Sequence, residues 1–340
     1  MNARDLGQYV SMSQHTREGE APSLRVRFAA DPASVPGVRR FVTDGLNAWG
    51  RAGLVDDAAL CVTEMAANAA LHSGSSFMNV SVRELSRSVR LAVEDDGVMI
   101  PVDAFVPRTG MRPVGTTTDA LPIEEQPTTG RGLAIVSVLA ESWGVDEIAH
   151  GRRIWADLTE GGEEYPVRPP DVTRQNEALP FTKDTLPVGW TIMRMPQCPV
   201  AVAMRQDQHL DALVRELQLI DADDQSSPPQ RIARLIHELV TRPAYARHTG
   251  RRVGEEAQAA GLEYVDVEMP APRELAPDIR RLHDVLTQAD ELCAEQQLLT
   301  LTSTPEMRLL RDWFTESMLG QLENDAEPVA YADWLASRGQ

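Results

Sequence analysis

Apolar and polar positions recur with two different periods along the first half of the chain. Strict alternation in SLRVRFA predicts a strand over residues 23–29. Apolar residues at helical spacing predict helices over 38–49 and 56–72. The same two patterns then predict four further strands and one further helix, at 77–82, 89–94, 143–146, 153–158 and 130–141. The first 160 residues therefore hold a mixed set of strands and helices.

The pattern of apolar and polar residues in the rest of the chain predicts where domains and linkers begin and end. Residues 97–129 are rich in Pro, Gly and Thr and have little periodicity, which is typical of a functional or a disordered loop. After residue 188 the chain becomes mainly helical, with two short apolar runs at 190–195 and 200–204 and helices expected at 209–220, 229–240, 275–297 and 306–322. We therefore expect a disordered leader at 1–22, a first domain at 23–160, a linker at 161–188 and a helical regulatory or interaction domain at 189–340.

The net charge, the cysteines and the lengths of the apolar runs exclude several classes of protein. The formal net charge is −18, and an acidic chain repels phosphates, so we expect no nucleic-acid partner. Cys61, Cys198 and Cys293 are far apart and odd in number, which predicts neither a disulfide scaffold nor a metal site and favours the cytoplasm. The leader has no signal-peptide core, and no run of about 18 apolar residues predicts a membrane span.

A polar stripe on an otherwise apolar helix is the first feature that suggests chemistry. Glu64, Asn68 and His72 stand at i, i+4 and i+8 in CVTEMAANAALHSG and therefore share one face. A carboxylate and an amide on a mostly buried helix are costly without a partner. A magnesium–phosphate group and a reacting hydroxyl would be suitable partners, because Mg²⁺ prefers oxygen ligands and a carboxylate can accept a proton. The alternative is that both side chains face solvent.

Two glycine-containing motifs follow. Asp95 ends a hydrophobic strand, where its carboxylate can accept a hydrogen bond from an exocyclic amine, and Gly97 lets the backbone approach a flat ring. A common strand-end turn explains this motif equally well. Gly130 and Gly132 then open an amphipathic helix, which can form an anion cradle or simply a helix entry.

The order and spacing of the three motifs resemble the N, G1 and G2 boxes of the Bergerat ATPase fold found in gyrase and histidine kinases. The flanking phrases FAADPASVP, RFV and SWGV, and the strand IWADL, are similar to those of bacterial anti-sigma-factor serine kinases. The resemblance covers about residues 22–160. It implies an α+β fold, a two-layer α/β sandwich whose mixed sheet is covered by helices on one face. The mostly α-helical C-terminal domain that we expect after it follows from the apolar pattern of the second half.

The resemblance also assigns roles to individual residues. Glu64 matches the proposed catalytic base and Asn68 the magnesium ligand of that family. Asp95 matches the adenine-reading carboxylate, with Gly97 beside the ring, and residues 98–129 match the lid. The phosphate-side loop corresponds to Gly130, Arg131, Gly132 and Leu133. One departure is that Arg152 and Arg153 precede the last strand, where the family often has a small hydroxyl residue that supports adenine binding.

The function implied is a cytoplasmic regulatory protein that binds ATP and Mg²⁺ and acts by partner switching. Such proteins phosphorylate a serine or threonine of an anti-sigma-factor antagonist and hold a sigma factor inactive, so protein partners are expected. A catalytically inactive module, in which ATP only sets conformation, is one alternative. A histidine-kinase-like signalling protein is the other, although the phosphoacceptor helix of those enzymes usually precedes the ATPase module.

The C-terminal half contains one pattern with two interpretations. Apolar residues at heptad spacing run through the helix expected at 275–297, and they are Leu275, Ile279, Leu282, Leu286, Ala289 and Cys293. This seam predicts either a core-facing helix or a surface for a homodimer or partner. His283 and Asp284 on the same helix are more typical of a solvated face than of a phosphoacceptor.

Overall fold

The computed structural model describes residues 21–97, 131–161, 185–220 and 244–339, with isolated helical positions between 231 and 240. Several sequence predictions lie wholly or mostly outside these residues. They are the leader 1–22, the lid 98–129, Gly130, the linker 161–188 and the helix 229–240.

The first unit contains a sheet of five described strands: β1 (Ser23–Ala29), β2 (Phe77–Glu84), β3 (Val89–Asp95), β4 (Ser142–Ile148) and β5 (Gly151–Leu158). Their order is β1-β2-β3-β5-β4, and every pairing is antiparallel. The expectation of a mixed sheet is wrong in this detail. The strands β3 and β4 run in the same direction, but β5 inserts between them, so that no parallel neighbours arise.

One face of this sheet forms the core. Apolar residues alternate along the strands, as Leu24, Val26 and Phe28 do in β1, and their side chains are buried. This face packs against α1 (Val35–Ala48), α2 (Val55–His72) and α3 (Arg131–Leu139). The opposite face carries cations stacked on aromatic rings, with Arg27 over Phe77 and Arg90 over Trp155. The predicted α+β arrangement with helices on one face is confirmed.

The second unit begins with a two-stranded antiparallel sheet of β6 (Trp190–Pro199) and β7 (Tyr264–Pro272). Its described helices are α4 (Val200–Ile220), α5 (Ala244–Ala259), α6 (Ala276–Ala294), α7 (Pro305–Asn324) and α8 (Tyr331–Ser337). The apolar run at 200–204 is the first turn of α4. Sequence reasoning did not find β7, α5 or α8. The unit is mainly helical, as expected.

The heptad seam lies in the interior of the second unit. Leu286, Ala289 and Cys293 are buried on α6 and pack in a cluster with Leu210, Leu213 and Leu217 of α4. Ile279, nearer the start of α6, is buried in the larger core that extends into the first unit. The core-facing interpretation of this helix is therefore the one that the structure supports. On the same helix, His283 contacts the Thr315 hydroxyl at 3.2 Å and Asp312 at 3.8 Å, which engages both ring nitrogens.

An aromatic cluster joins the two units. Tyr245 of α5 and Trp190 of β6 pack against Phe28 and Phe41 of the first unit, with ring centroids 5.8 to 6.5 Å apart. Gly37 of α1 gives Tyr245 its space, because a Cβ there would lie 2.6 Å from the Tyr245 ring. The apolar core is consequently continuous between the units.

Two further findings concern the cysteines and the length of the helices. Cys61, Cys198 and Cys293 are all buried and free. Within the described ranges, every helix is too short or too polar to span a bilayer.

Tyr245 provides a test of this packing. Its hydroxyl is buried without a hydrogen-bond partner among the described residues, and burial raises the pKa of the phenol. Tyr245→Phe should therefore raise the free energy of unfolding by about 1 kcal/mol, because it removes an unsatisfied polar group. Tyr245→Ala should lower it by about 3–5 kcal/mol through loss of the ring. Urea unfolding measures both, and a Tyr245→Phe variant that is clearly less stable than wild type contradicts the assignment.

Candidate functional site

Helix α2 carries the predicted polar stripe. One face of α2 is fully buried between the sheet and the neighbouring helices, and it carries Ala58, Cys61, Val62, Met65, Ala66 and Ala69. On the remaining face, Glu64 is half-buried, Asn68 is 8% exposed and His72 is exposed. The Asn68 Nδ2 atom has no hydrogen-bond partner among the described residues. A buried amide with one unpartnered end is costly unless a ligand satisfies it.

The N-terminus of α3 lies against Glu64. A Cβ placed on Gly132 would be 2.4 Å from the Glu64 Oε2 atom, so a larger residue here would displace the Glu64 carboxylate from its present position. The described part of helix α3 begins at Arg131, and the amides of Arg131, Gly132 and Leu133 have no helical acceptor among the described residues. The Leu133 side chain is buried in the core, so this residue can serve a phosphate only through its backbone.

The strand-end motif lies at the C-terminal end of α2. The Gly97 amide donates a hydrogen bond of 2.8 Å to the Asp95 carboxylate. A Cβ on Gly97 would lie 2.9 Å from the backbone of Ser73, which directly follows α2. Glu64 and Ser73 are separated by about 13 Å along the helix axis. The middle of α2 therefore places Glu64 beside Gly132, and the C-terminal end of α2 lies beside Gly97.

Asp95 has a partner that sequence reasoning did not find. Arg152 stands directly opposite Asp95 in the β3–β5 ladder, and its Nε lies 3.1 Å from both carboxylate oxygens. Both side chains are about 1% exposed. Burial raises the pKa of the Asp95 carboxyl, and the charge of Arg152 opposes that rise. In the sequence, Arg152 was visible only as a departure from the family pattern. The strand register shows that Arg152 forms an ion pair with Asp95, the carboxylate that was expected to bind adenine.

The arrangement therefore divides into two halves. The half around Glu64, Asn68 and Gly132 suits a nucleotide phosphate, since the first described amides of α3 and the Asn68 Nδ2 atom have no partner in the described part of the chain. In the half around Asp95, the carboxylate is already paired with Arg152. Among the described residues no cluster of three or more His, Cys, Asp and Glu can hold a metal ion.

Comparison with known proteins agrees with this geometry. Residues 28–157 match the family model of the histidine kinase-like ATPase domain. No curated protein is significantly similar to the chain. The first unit is thus an ATPase-like domain of this superfamily, and a domain of that type implies ATP binding.

Gly151 fixes the position of Asp95 and can be tested against a matched glycine. Its φ is +108°, and a Cβ there would lie 1.9 Å from the Asp95 carbonyl oxygen. Gly151→Ala should lower the free energy of unfolding by about 3 kcal/mol or more, because backbone atoms must move. Gly74 has a φ of +71° but open space around it, so Gly74→Ala should cost only about 1–2 kcal/mol. Equal losses in thermal or urea unfolding would contradict the close approach.

Proposed function

We propose that this chain is an ATP-binding regulatory protein of the anti-sigma-factor serine/threonine-kinase type, which binds Mg-ATP and acts by partner switching. The observation that carries the proposal is the placement of a helix-borne acid, Glu64, against the glycine-opened N-terminus of α3. Asn68, one turn further along α2, adds a buried amide without a partner. An acid beside an anion cradle is suited to phosphoryl transfer, in which catalysis is mainly positioning and charge stabilisation.

Each residue then has a defined task. The first amides of α3 hold phosphate oxygens, and rotation of the Asn68 amide directs either its oxygen to Mg²⁺ or its nitrogen to a phosphate. Glu64 accepts the proton of a serine or threonine hydroxyl on the substrate protein. Bound ATP supplies the phosphoryl group. The expected partners are a sigma factor or an anti-sigma-factor antagonist in the cytoplasm, and these belong to the proposal through family resemblance alone.

Calorimetry with Mg-ATP tests the nucleotide site. Asn68→Ala should weaken binding by roughly tenfold or more, equivalent to about 1.4 kcal/mol, because it removes a ligand-facing amide. Thr63→Ala is the matched control on the same helix, since the Thr63 hydroxyl donates within the helix to the Ala59 carbonyl. Unchanged affinity in Asn68→Ala, or equal losses in both variants, contradicts the assignment.

Phosphoryl transfer requires a separate experiment. Wild-type protein incubated with γ-labelled ATP and a candidate antagonist should place label on serine or threonine. Glu64→Ala should bind ATP nearly as well but lose about 10²–10⁴-fold in transfer, the usual contribution of a general base. If ATP binds and no partner is labelled, the chain is the catalytically inactive module, in which ATP only sets conformation.

Arg152 gives the sharpest prediction about the base-binding half. Arg152→Thr frees the Asp95 carboxylate and restores a hydroxyl at that position, so ATP should bind roughly tenfold more tightly. Without ATP the variant should be less stable by about 3–5 kcal/mol, because Asp95 loses its buried partner. Arg153→Thr is the control, since Arg153 points to the other face of the sheet and pairs with Glu94 at 2.8 Å. Weaker ATP binding by Arg152→Thr, with Arg153→Thr unchanged, contradicts this interpretation.

A further inference from the structure

The second unit contains an apolar cavity of about 240 Å³ that lies away from the candidate nucleotide site. Its walls come from the β6–β7 sheet and from α4, α5, α6 and α7. Four methionines line it, Met193, Met204, Met269 and Met318, and flexible thioethers can adapt to ligands of different shape. An apolar cavity of about 150 Å³ holds benzene, so this one has room for about ten non-hydrogen atoms.

Two buried polar groups at the cavity wall lack partners. Arg311 is 6% exposed, and its Nη2 donates to the Asp290 carboxylate at 2.5 Å. Its Nε and Nη1 atoms have no hydrogen-bond acceptor in the described part of the chain. The Gln206 Oε1 atom likewise has no donor there, and both residues line the cavity. Unsatisfied donors and an unsatisfied acceptor are costly, and a ligand that carries the complementary groups would remove that cost.

The charges at the wall cancel. Arg247 and Arg251 each form ion pairs with Asp207 and Asp211. The charge of Arg311 is matched by Asp290. A ligand with a net charge would lose its hydration without meeting an unpaired opposite charge, and this favours an uncharged ligand.

We propose that this cavity binds an uncharged, mostly apolar small molecule whose carbonyl oxygen accepts hydrogen bonds from Arg311, with a medium-chain amide as the best-fitting class. An amide N–H would also supply the donor that Gln206 lacks. The inference is independent of the proposed nucleotide function, because none of the lining residues belongs to that site.

Methyl spectra of the full chain labelled with ¹³C-methionine test the proposal. Octanamide has about ten non-hydrogen atoms and should shift the signals of Met193, Met204, Met269 and Met318, which Met→Leu variants assign. Octanoate has the same shape but a charge, and should bind at least roughly tenfold more weakly. Butylbenzene should shift the same methyl groups without any contribution from Arg311. Octanoate binding as tightly as octanamide would overturn the uncharged class, and an absence of shifts with all three probes would overturn the site.

Two variants localise the effect. A Cβ on Gly250 would lie 4.0 Å from both Met269 Cε and Val267 Cγ1, so Gly250→Leu extends into the cavity and should abolish the octanamide shifts. Ala259→Leu, at an exposed position of the same helix, should leave them unchanged. Arg311→Lys keeps the positive charge opposite Asp290 and should weaken octanamide roughly tenfold while leaving butylbenzene unaffected. Octanamide shifts that persist in Gly250→Leu place the ligand elsewhere and refute the proposal.

Discussion

The close approach of α2 to two other backbone segments is the constraint on which the candidate site depends. Gly132 at the start of α3 and Gly97 after β3 both lie where a side chain would collide with α2 or the residue that follows it. Because α2 is anchored by fully buried apolar residues, it cannot move away to relieve such a collision. Gly97 thus lets the end of β3 approach the backbone that follows α2, and Gly132 leaves room for the Glu64 carboxylate beside the first described turn of α3. This geometry keeps Glu64 and Asn68 at the edge of an apolar core, where partial loss of hydration makes both polar side chains energetically unfavourable.

The sequence predicted the first unit well because its signals are local. The alternation in β1, the apolar periodicity of α2 and the glycines at the helix entry all report structure within a few residues. The second unit was predicted poorly for the same reason. Helix α5 is rich in charged residues whose partners lie on α4, as Arg247 and Arg251 pair with Asp207 and Asp211, so its apolar stripe is weak in sequence. The strand β7 ends in MPAP, and its prolines disfavour a strand unless the tertiary context is known.

The Asp95–Arg152 pair shows a different limit. Each residue was noticed separately, but their contact follows from the register of β3 and β5, which are far apart in sequence. The register places both side chains on the inner face, while Glu94 and Arg153 form the corresponding pair on the outer face. One strand pairing thus carries one ion pair on each side of the sheet, and only the inner one bears on the nucleotide site. A family motif matched residue by residue can assign a role to Asp95, but it cannot reveal that Arg152 is its cross-strand neighbour.

Helix α5 connects the two candidate sites physically. Near its N-terminus Tyr245 packs in the aromatic cluster with Phe28 of β1, and further along Gly250 and Gly254 line the apolar cavity. The 3₁₀ helix Pro32–Ser34 also lies against α5, and Asp31 before it contacts His248 at 3.4 Å. Suppose that α5 can adopt two alternative positions. A ligand in the cavity can then influence the ATPase-like unit only if its affinity differs between those two positions. Because the aromatic cluster is close-packed, such a shift would have to move β1 or α1 as well. Both α5 and the β6–β7 sheet line the cavity and contact the first unit, so these elements are the routes by which coupling between cavity and nucleotide would pass.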